Sequence, residues 1–409
     1  MKKIKKYKSI GREELIEANK VINSGVLSNY IAKDGKNFLG GKYVKKFEKK
    51  IENVFKVKYA ISVNSWTSGL VAIFGAIGLE PGDEVIMPTW TMSACAMSVL
   101  NWNAIPIFVD IEDDTFNIDP KLIEKKITQK TKAILVVDIF GHPADYNKIF
   151  KIAKKYNIKI ISDSAQSIGA IYNKRFTGTF ADMGGYSFNC HKHINTGEGG
   201  IILTNKKNLA ERVRLIRNHA ESSLPKKLKN KKNLNNMIGY NFRLGEIESA
   251  IGIQQIYKLK KIINLRRRFA KILTEGLYQL KGLKLPVIKK NCTHSFYTFP
   301  MILDLRILKK NRAQICKMLR ALGTNISEGY VNLHLLPIFK HKIAYGNSGF
   351  PWKFNKSKKY NYKIGDCPVA ERLHNETFIH LSMYTLDYKL NDIKKIISNF
   401  KKVWKKLSM

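Results

Sequence analysis

Between residues 58 and 163 short apolar runs alternate with helix-length segments, and this rhythm constrains the fold more than any other feature. Ala60–Val63, Glu84–Pro88, Ile105–Val109, Ala133–Asp138 and Ile158–Ser162 read as strands. Helices are predicted between them: Ser68–Leu79, a segment ending at Leu100, one opening at Asp119-Pro120, and Asp145–Tyr156. Strands that are apolar on both faces and separated by helices imply a largely parallel sheet covered on both sides. The expected class is α/β, a mostly parallel mixed sheet in a large domain with a smaller α+β domain after it. In such sheets ligands bind beyond the carboxyl ends of the strands.

Three of those ends carry polar groups. Asn64-Ser65-Trp66-Thr67-Ser68-Gly69 joins a strand to a helix. Free N–H groups at a helix start, with a Thr67 hydroxyl, suit a phosphate, although serine and threonine there also serve as plain N-caps. Asp163 closes an apolar strand. It is either the N-cap of the next helix or the partner of a protonated ring nitrogen, as in pyridoxal phosphate sites. The third end lies in GGYSFNCHKHINTGEGGIILTN (184–205). Tyr186–Phe188 and Ile201–Leu203 are predicted strands. The loop between them holds Lys192 between His191 and His193, and closes with the Gly197–Gly200 turn. Burial disfavours an ammonium and can make it a nucleophile toward carbonyls. In a chain this rich in lysine a solvated side chain is the simpler reading, and only the combination of the three ends outweighs it.

The 409 residues are enough for two domains. Residues 1–57 are expected to form an N-terminal helical segment and loop, 58–270 the large domain and 271–409 the small one. Helices are predicted at 13–22, around Val44, Phe47 and Ile51, and at 208–218, 243–257, 258–278, 311–322 and 392–405, with strands at 296–303 and 325–327. The polar interval 224–236 is expected to be a surface loop.

The formal net charge is +40. That admits a nucleic-acid or anionic-membrane partner. The lysines are spread along the whole chain, however, and match no nucleic-acid-reading motif, so solvated helix faces are the preferred explanation. No stretch is long and apolar enough for a membrane span. Five scattered cysteines without CxxC spacing point to reduced thiols, no zinc site and a cytoplasmic setting.

The chain resembles the DegT/DnrJ/EryC1/StrS sugar aminotransferases, enzymes of the fold type I pyridoxal phosphate architecture. The motifs that carry the resemblance include ISVNSWTSGL (61–70), PGDEVIMPTWT (81–91), DSAQSIGA (163–170), SFNCHKHINTGEGG (187–200), GYNFRLGEIESAIG (239–252) and EGYVNLHLLP (328–337). The resemblance implies pyridoxal phosphate held by Lys192 as a Schiff base. Lys192 would also move the reacting proton, and Asp163 would keep the ring nitrogen protonated. Gln166 would lie by the ring hydroxyl. Ser65, Trp66, Thr67 and Ser187 would meet the phosphate, and Asn241 the phosphate of the neighbouring subunit in a homodimer. A nucleotide-linked keto-sugar and glutamate would be the substrates, with sugar contacts from the 26–41 loop (Asn29), the 224–236 loop, His334 and Glu328.

Two positions depart from the family pattern. Trp66 stands where glycine or another small residue is usual. Met92 replaces a frequent aromatic that stacks on the ring, a role that Trp90 is expected to take. Some relatives carry histidine in place of the lysine and act as sugar 3-dehydratases. Counting back from the GEGG turn puts Lys192 in the lysine register. A non-catalytic, nucleic-acid-binding homologue is the rival from another class.

Overall fold

The computed structural model describes residues 4–33, 35–223, 236–355 and 360–407. Residues 224–235 of the expected 224–236 surface loop lie outside them. The strands in chain order are β1 (Tyr59–Val63), β2 (Glu84–Pro88), β3 (Ile105–Val109), β4 (Thr131–Val137), β5 (Lys159–Asp163), β6 (Ile171–Tyr172), β7 (Arg175–Phe176), β8 (Met183–Ser187) and β9 (Gly200–Thr204). After them come β10 (Leu283–Lys284), β11 (Thr298–Leu303), β12 (Ile326–Glu328) and β13 (Phe378–Ser382). Seven strands form the large sheet in the order β1-β9-β8-β5-β4-β2-β3. Only β9 runs against the rest, pairing antiparallel with both β1 and β8. The chain is thus α/β with a mostly parallel mixed sheet.

β2, β3, β8 and β9 are buried at every residue, as strands covered on both faces must be. The helices α1 (Arg12–Asn23), α2 (Lys42–Phe55), α3 (Trp66–Ala76) and α4 (Ala94–Leu100) bracket the first strands. α3 is apolar around most of its circumference and buries nine of its 11 residues, which marks a helix enclosed by protein rather than lying on a surface. Because β1, β2, β5 and β8 are parallel, their carboxyl ends share one edge, and the residues after them converge there.

Two predicted helices, 243–257 and 258–278, are one helix, Glu246–Leu277. No glycine or proline interrupts residues 253–275, so the hydrogen-bond ladder continues. Its buried residues recur every three or four positions, from Ile256 through Leu259, Ile263, Arg266 and Phe269 to Leu273 and Leu277. Ile256, Leu259 and Ile263 pack with α2 and β8–β9. Phe269, Ala270, Leu273 and Leu277 belong instead to the core of the four-stranded sheet β10-β11-β13-β12. The helix therefore crosses the boundary expected near residue 270. Lys6 forms an antiparallel bridge with Leu386, so the chain start also touches the smaller unit. Sequence reading missed β13, although it pairs with both β11 and β12.

Candidate active site

The floor of the site is Asp163, the last residue of β5. Its carboxylate is buried and accepts three hydrogen bonds. The Trp66 indole N–H donates to Oδ1 at 2.8 Å, the Ala165 amide to Oδ1 at 3.0 Å and the Cys95 thiol to Oδ2 at 2.9 Å. Removing a partner from such a group costs about 1–3 kcal/mol. The next layer down holds Asp138, which accepts from Ser164 Oγ at 2.6 Å, Tyr146 OH at 3.0 Å and the Ala144 amide at 3.0 Å. Burial, despite these donors, raises its pKa to about 7.

Lys192 lies in the loop between β8 and β9 and keeps partial exposure. Its amine sits 4.9 Å from the centroid of Tyr297, which stacks on Tyr384 at 4.3 Å. Desolvation pushes its pKa below the ordinary lysine value, and the charge of Asp163 partly opposes that shift. The flanking histidines point elsewhere. His193 is fully buried, with Nε2 3.0 Å from the Ser295 carbonyl, and His191 is exposed, 6.2 Å from Tyr384. Of the three, Lys192 is the one that burial and Asp163 together act on.

Ser65 caps α3: its hydroxyl accepts from the Ser68 amide at 3.0 Å. The plain N-cap reading is therefore realised, and of the first-turn N–H groups it leaves those of Trp66 and Thr67 without intrahelical acceptors. Thr67 is exposed one step into the helix. Ser187, at the end of β8, is 6% exposed and accepts from the Asn189 amide at 3.3 Å. The Gln166 carbonyl accepts from the Phe140 amide at 2.8 Å, and its amide N–H donates to Tyr330 OH at 3.3 Å. Asn241 is exposed, with its backbone carbonyl 3.4 Å from Asn64 Nδ2, which puts it beside the strand end that leads into Ser65.

Four expected roles meet a different geometry. Trp90 does not face the site. It is 0% exposed, donates to Asn332 at 2.9 Å and is enclosed by Phe116, Phe140, Tyr330 and Phe378. Met92, by contrast, is 63% exposed. His334 is equally closed off: Nδ1 meets Thr89 Oγ1 at 2.6 Å and Nε2 meets Glu371 at 2.9 Å. With both ring nitrogens occupied, it holds two segments together instead of presenting itself to a sugar. Glu328 is ion-paired to Arg320 at 2.7 Å and Arg312 at 3.3 Å. Asn29 is exposed and accepts from Asn37 at 3.1 Å. Sequence reading gave Cys95, Tyr297, Tyr330 and Tyr384 no role. Their only signal is spatial, since each lies far from Lys192 or Asp163 along the chain.

Cavities of about 350 Å³ beside Phe108 and His334 and about 500 Å³ beside Arg267 and His294 open elsewhere. Neither is lined by Lys192 or Asp163. The chemistry is therefore located by the donor set and not by volume.

That donor set suits pyridoxal phosphate. It offers a desolvated amine for an aldehyde, a buried carboxylate for a ring N–H and a helix start for a phosphate. A profile of the DegT/DnrJ/EryC1/StrS aminotransferase family matches residues 28–400. The chain is 33% identical to a GDP-perosamine synthase of Caulobacter vibrioides, over 74% of this chain and 80% of that protein. It is 36% identical to a dTDP-3-amino-3,6-dideoxy-alpha-D-galactopyranose transaminase of Aneurinibacillus thermoaerophilus, over 66% and 72%. Its fold matches a GDP-4-keto-6-deoxymannose-3-dehydratase solved with a trapped PLP-glutamate geminal diamine. That match has a TM-score of 0.76 and 25% identity, over 97% of this chain and 99% of the other. With a fold, a donor set and a profile over nearly the whole chain in agreement, the chain belongs to the DegT/DnrJ/EryC1/StrS aminotransferase family and is a pyridoxal phosphate-dependent sugar aminotransferase.

Proposed function

We propose that this enzyme moves the amino group of glutamate onto the carbonyl carbon of a keto-sugar carried by a nucleotide. The relatives' names support the substrate class, since two of them act on GDP- and dTDP-linked sugars. The observation that carries the transaminase reading is the placement of Lys192. Its amine, and neither neighbouring histidine, is both desolvated and within the field of Asp163.

Bound pyridoxal phosphate supplies an electron sink next to the amino-bearing carbon. The protein's own groups do the rest. The depressed pKa of Lys192 enlarges its uncharged fraction near neutral pH, so the amine accepts the proton from that carbon and returns it. Asp163 provides a fixed negative charge for the ring nitrogen. Gln166 offers its side chain to the ring hydroxyl, while Ser65, Trp66 and Thr67 at the helix start and Ser187 hold the phosphate. Asn241 is assigned to the phosphate of a second copy, which makes the working unit a homodimer. All five cysteines are unpaired, in keeping with a reducing, cytoplasmic setting.

Sugar 3-dehydration is the second reading, because a 3-dehydratase shares the fold. Incubation with glutamate and a panel of GDP-, dTDP- and UDP-linked keto-sugars separates the two. An aminated sugar that appears with one equivalent of 2-oxoglutarate supports transamination. A deoxysugar without retained nitrogen supports dehydration and overturns the proposal.

A further inference from the structure

Trp66 is the first residue of α3, and its side chain has been given a built slot. An added Cβ on Gly185 of β8 would lie 2.0 Å from the Ile201 carbonyl of β9 and 2.3 Å from the indole, and one on Gly69 of α3 would lie 3.0 Å from the indole. Two separate elements therefore leave room for one large ring. The ring is 6% exposed, so its N–H needs a protein acceptor. It finds one in Asp163 Oδ1 at 2.8 Å.

The three donors on Asp163 are unequally shared. Oδ1 receives Trp66 Nε1 and the Ala165 amide, whereas among the described residues Oδ2 receives only the Cys95 thiol. A thiol is a weak donor and is readily displaced or shared.

We infer that Trp66 is a positioning residue for Asp163. Its indole, with the Ala165 amide, occupies Oδ1 and turns Oδ2 toward the ring N–H of the cofactor. The inference rests on the pyridoxal phosphate reading and adds to it which oxygen is used and what aims it. A space-filling tryptophan would stabilise the fold without affecting how Asp163 meets its ligand.

The test is Trp66→Phe, which keeps a ring in the slot and deletes the N–H. Apoprotein is titrated with pyridoxal phosphate and followed by visible absorbance. The expected result is about tenfold weaker binding, equivalent to about 1.4 kcal/mol. Turnover is expected to fall while KM for glutamate stays within about twofold, as for a group that acts on alignment instead of substrate binding. Wild-type affinity in a variant that is only less heat-stable would overturn the inference. If Trp66→Phe does not fold, the wild-type chain serves. Its five tryptophans give five ¹⁵N-indole signals, assigned by single phenylalanine replacements at the other four positions. The Trp66 signal is expected to move when pyridoxal phosphate is added, because Asp163 then divides its charge between two partners. An unmoved signal overturns the inference. If the wild-type chain takes up no pyridoxal phosphate, the cofactor reading itself fails, and that outcome is distinct from either result for the variant.

Discussion

Asp163→Asn separates the chemical role of this carboxylate from its structural one, and the structure gives the size of each. The variant amide oxygen can keep the Oδ1 place, with its donors from Trp66 and Ala165 at 2.8 and 3.0 Å. The amide nitrogen then faces Cys95 Sγ, 2.9 Å from the present Oδ2. A thiol can accept as well as donate, so one weak bond is reversed and none is orphaned. The cost to the fold is about 1 kcal/mol. Toward a ring N–H the change is much larger, because an N–H donor replaces a charge. Breaking one partner of a buried ionic pair costs about 3–5 kcal/mol, and each 1.36 kcal/mol is tenfold in rate. Turnover with saturating cofactor and glutamate should therefore fall by about two to four powers of ten, with a thermal midpoint close to wild type. The assay is steady-state release of 2-oxoglutarate at fixed cofactor occupancy. Turnover within about tenfold of wild type in a folded variant would refute the reasoning and reduce Asp163 to a loop-organising residue.

Other outcomes arise from the same geometry. Lys192→Ala should remove turnover and the visible absorbance of the bound cofactor while leaving the circular dichroism spectrum unchanged; retained turnover would exclude Lys192. The rate at which apoprotein captures pyridoxal phosphate should rise with pH, because the uncharged amine is the reactive form, with a midpoint below the ordinary lysine value of 10.5. Asp163 favours the charged amine, so the midpoint should drop further in Asp163→Asn; an upward shift would contradict the electrostatics. His334→Ala leaves Thr89 and Glu371 without their shared partner and should destabilise the protein by about 2–4 kcal/mol. KM for the sugar should stay near wild type, and a large KM effect at normal stability would restore His334 as a sugar contact.

The large sheet was legible because buried parallel strands have a local signature. Val85-Ile86-Met87 and Ile201-Ile202-Leu203 are apolar on both faces and bounded by turn residues, and no other arrangement hides both faces as readily. Asp163 stood out because it closes such a run, and Lys192 because it lies in the loop between two strands. Trp90 and His334 were not. Both belong to motifs shared with the family, but a motif does not say which way a side chain points. Trp90 turns into an aromatic cluster whose members come from four distant segments. His334 is closed off by Glu371, 37 residues later, and by Thr89, 245 residues earlier. The partners of Asp163 obey the same rule. Trp66 and Cys95 lie 97 and 68 residues before it, and no local pattern of spacing or period links them to it. β13 escaped notice because FIHLS is short and carries a histidine at its centre, so its alternation was too brief to read.

The enzymology depends on which amine holds the cofactor. Pyridoxal phosphate is added to the purified protein, the Schiff base is reduced with borohydride, and the digested peptides are mapped by mass spectrometry. The expected result is one phosphopyridoxyl group per chain, on Lys192 in the segment between Ser187 and Gly200. A label on any other lysine, or spread over several of the many surface lysines with position 192 unmodified, would contradict it.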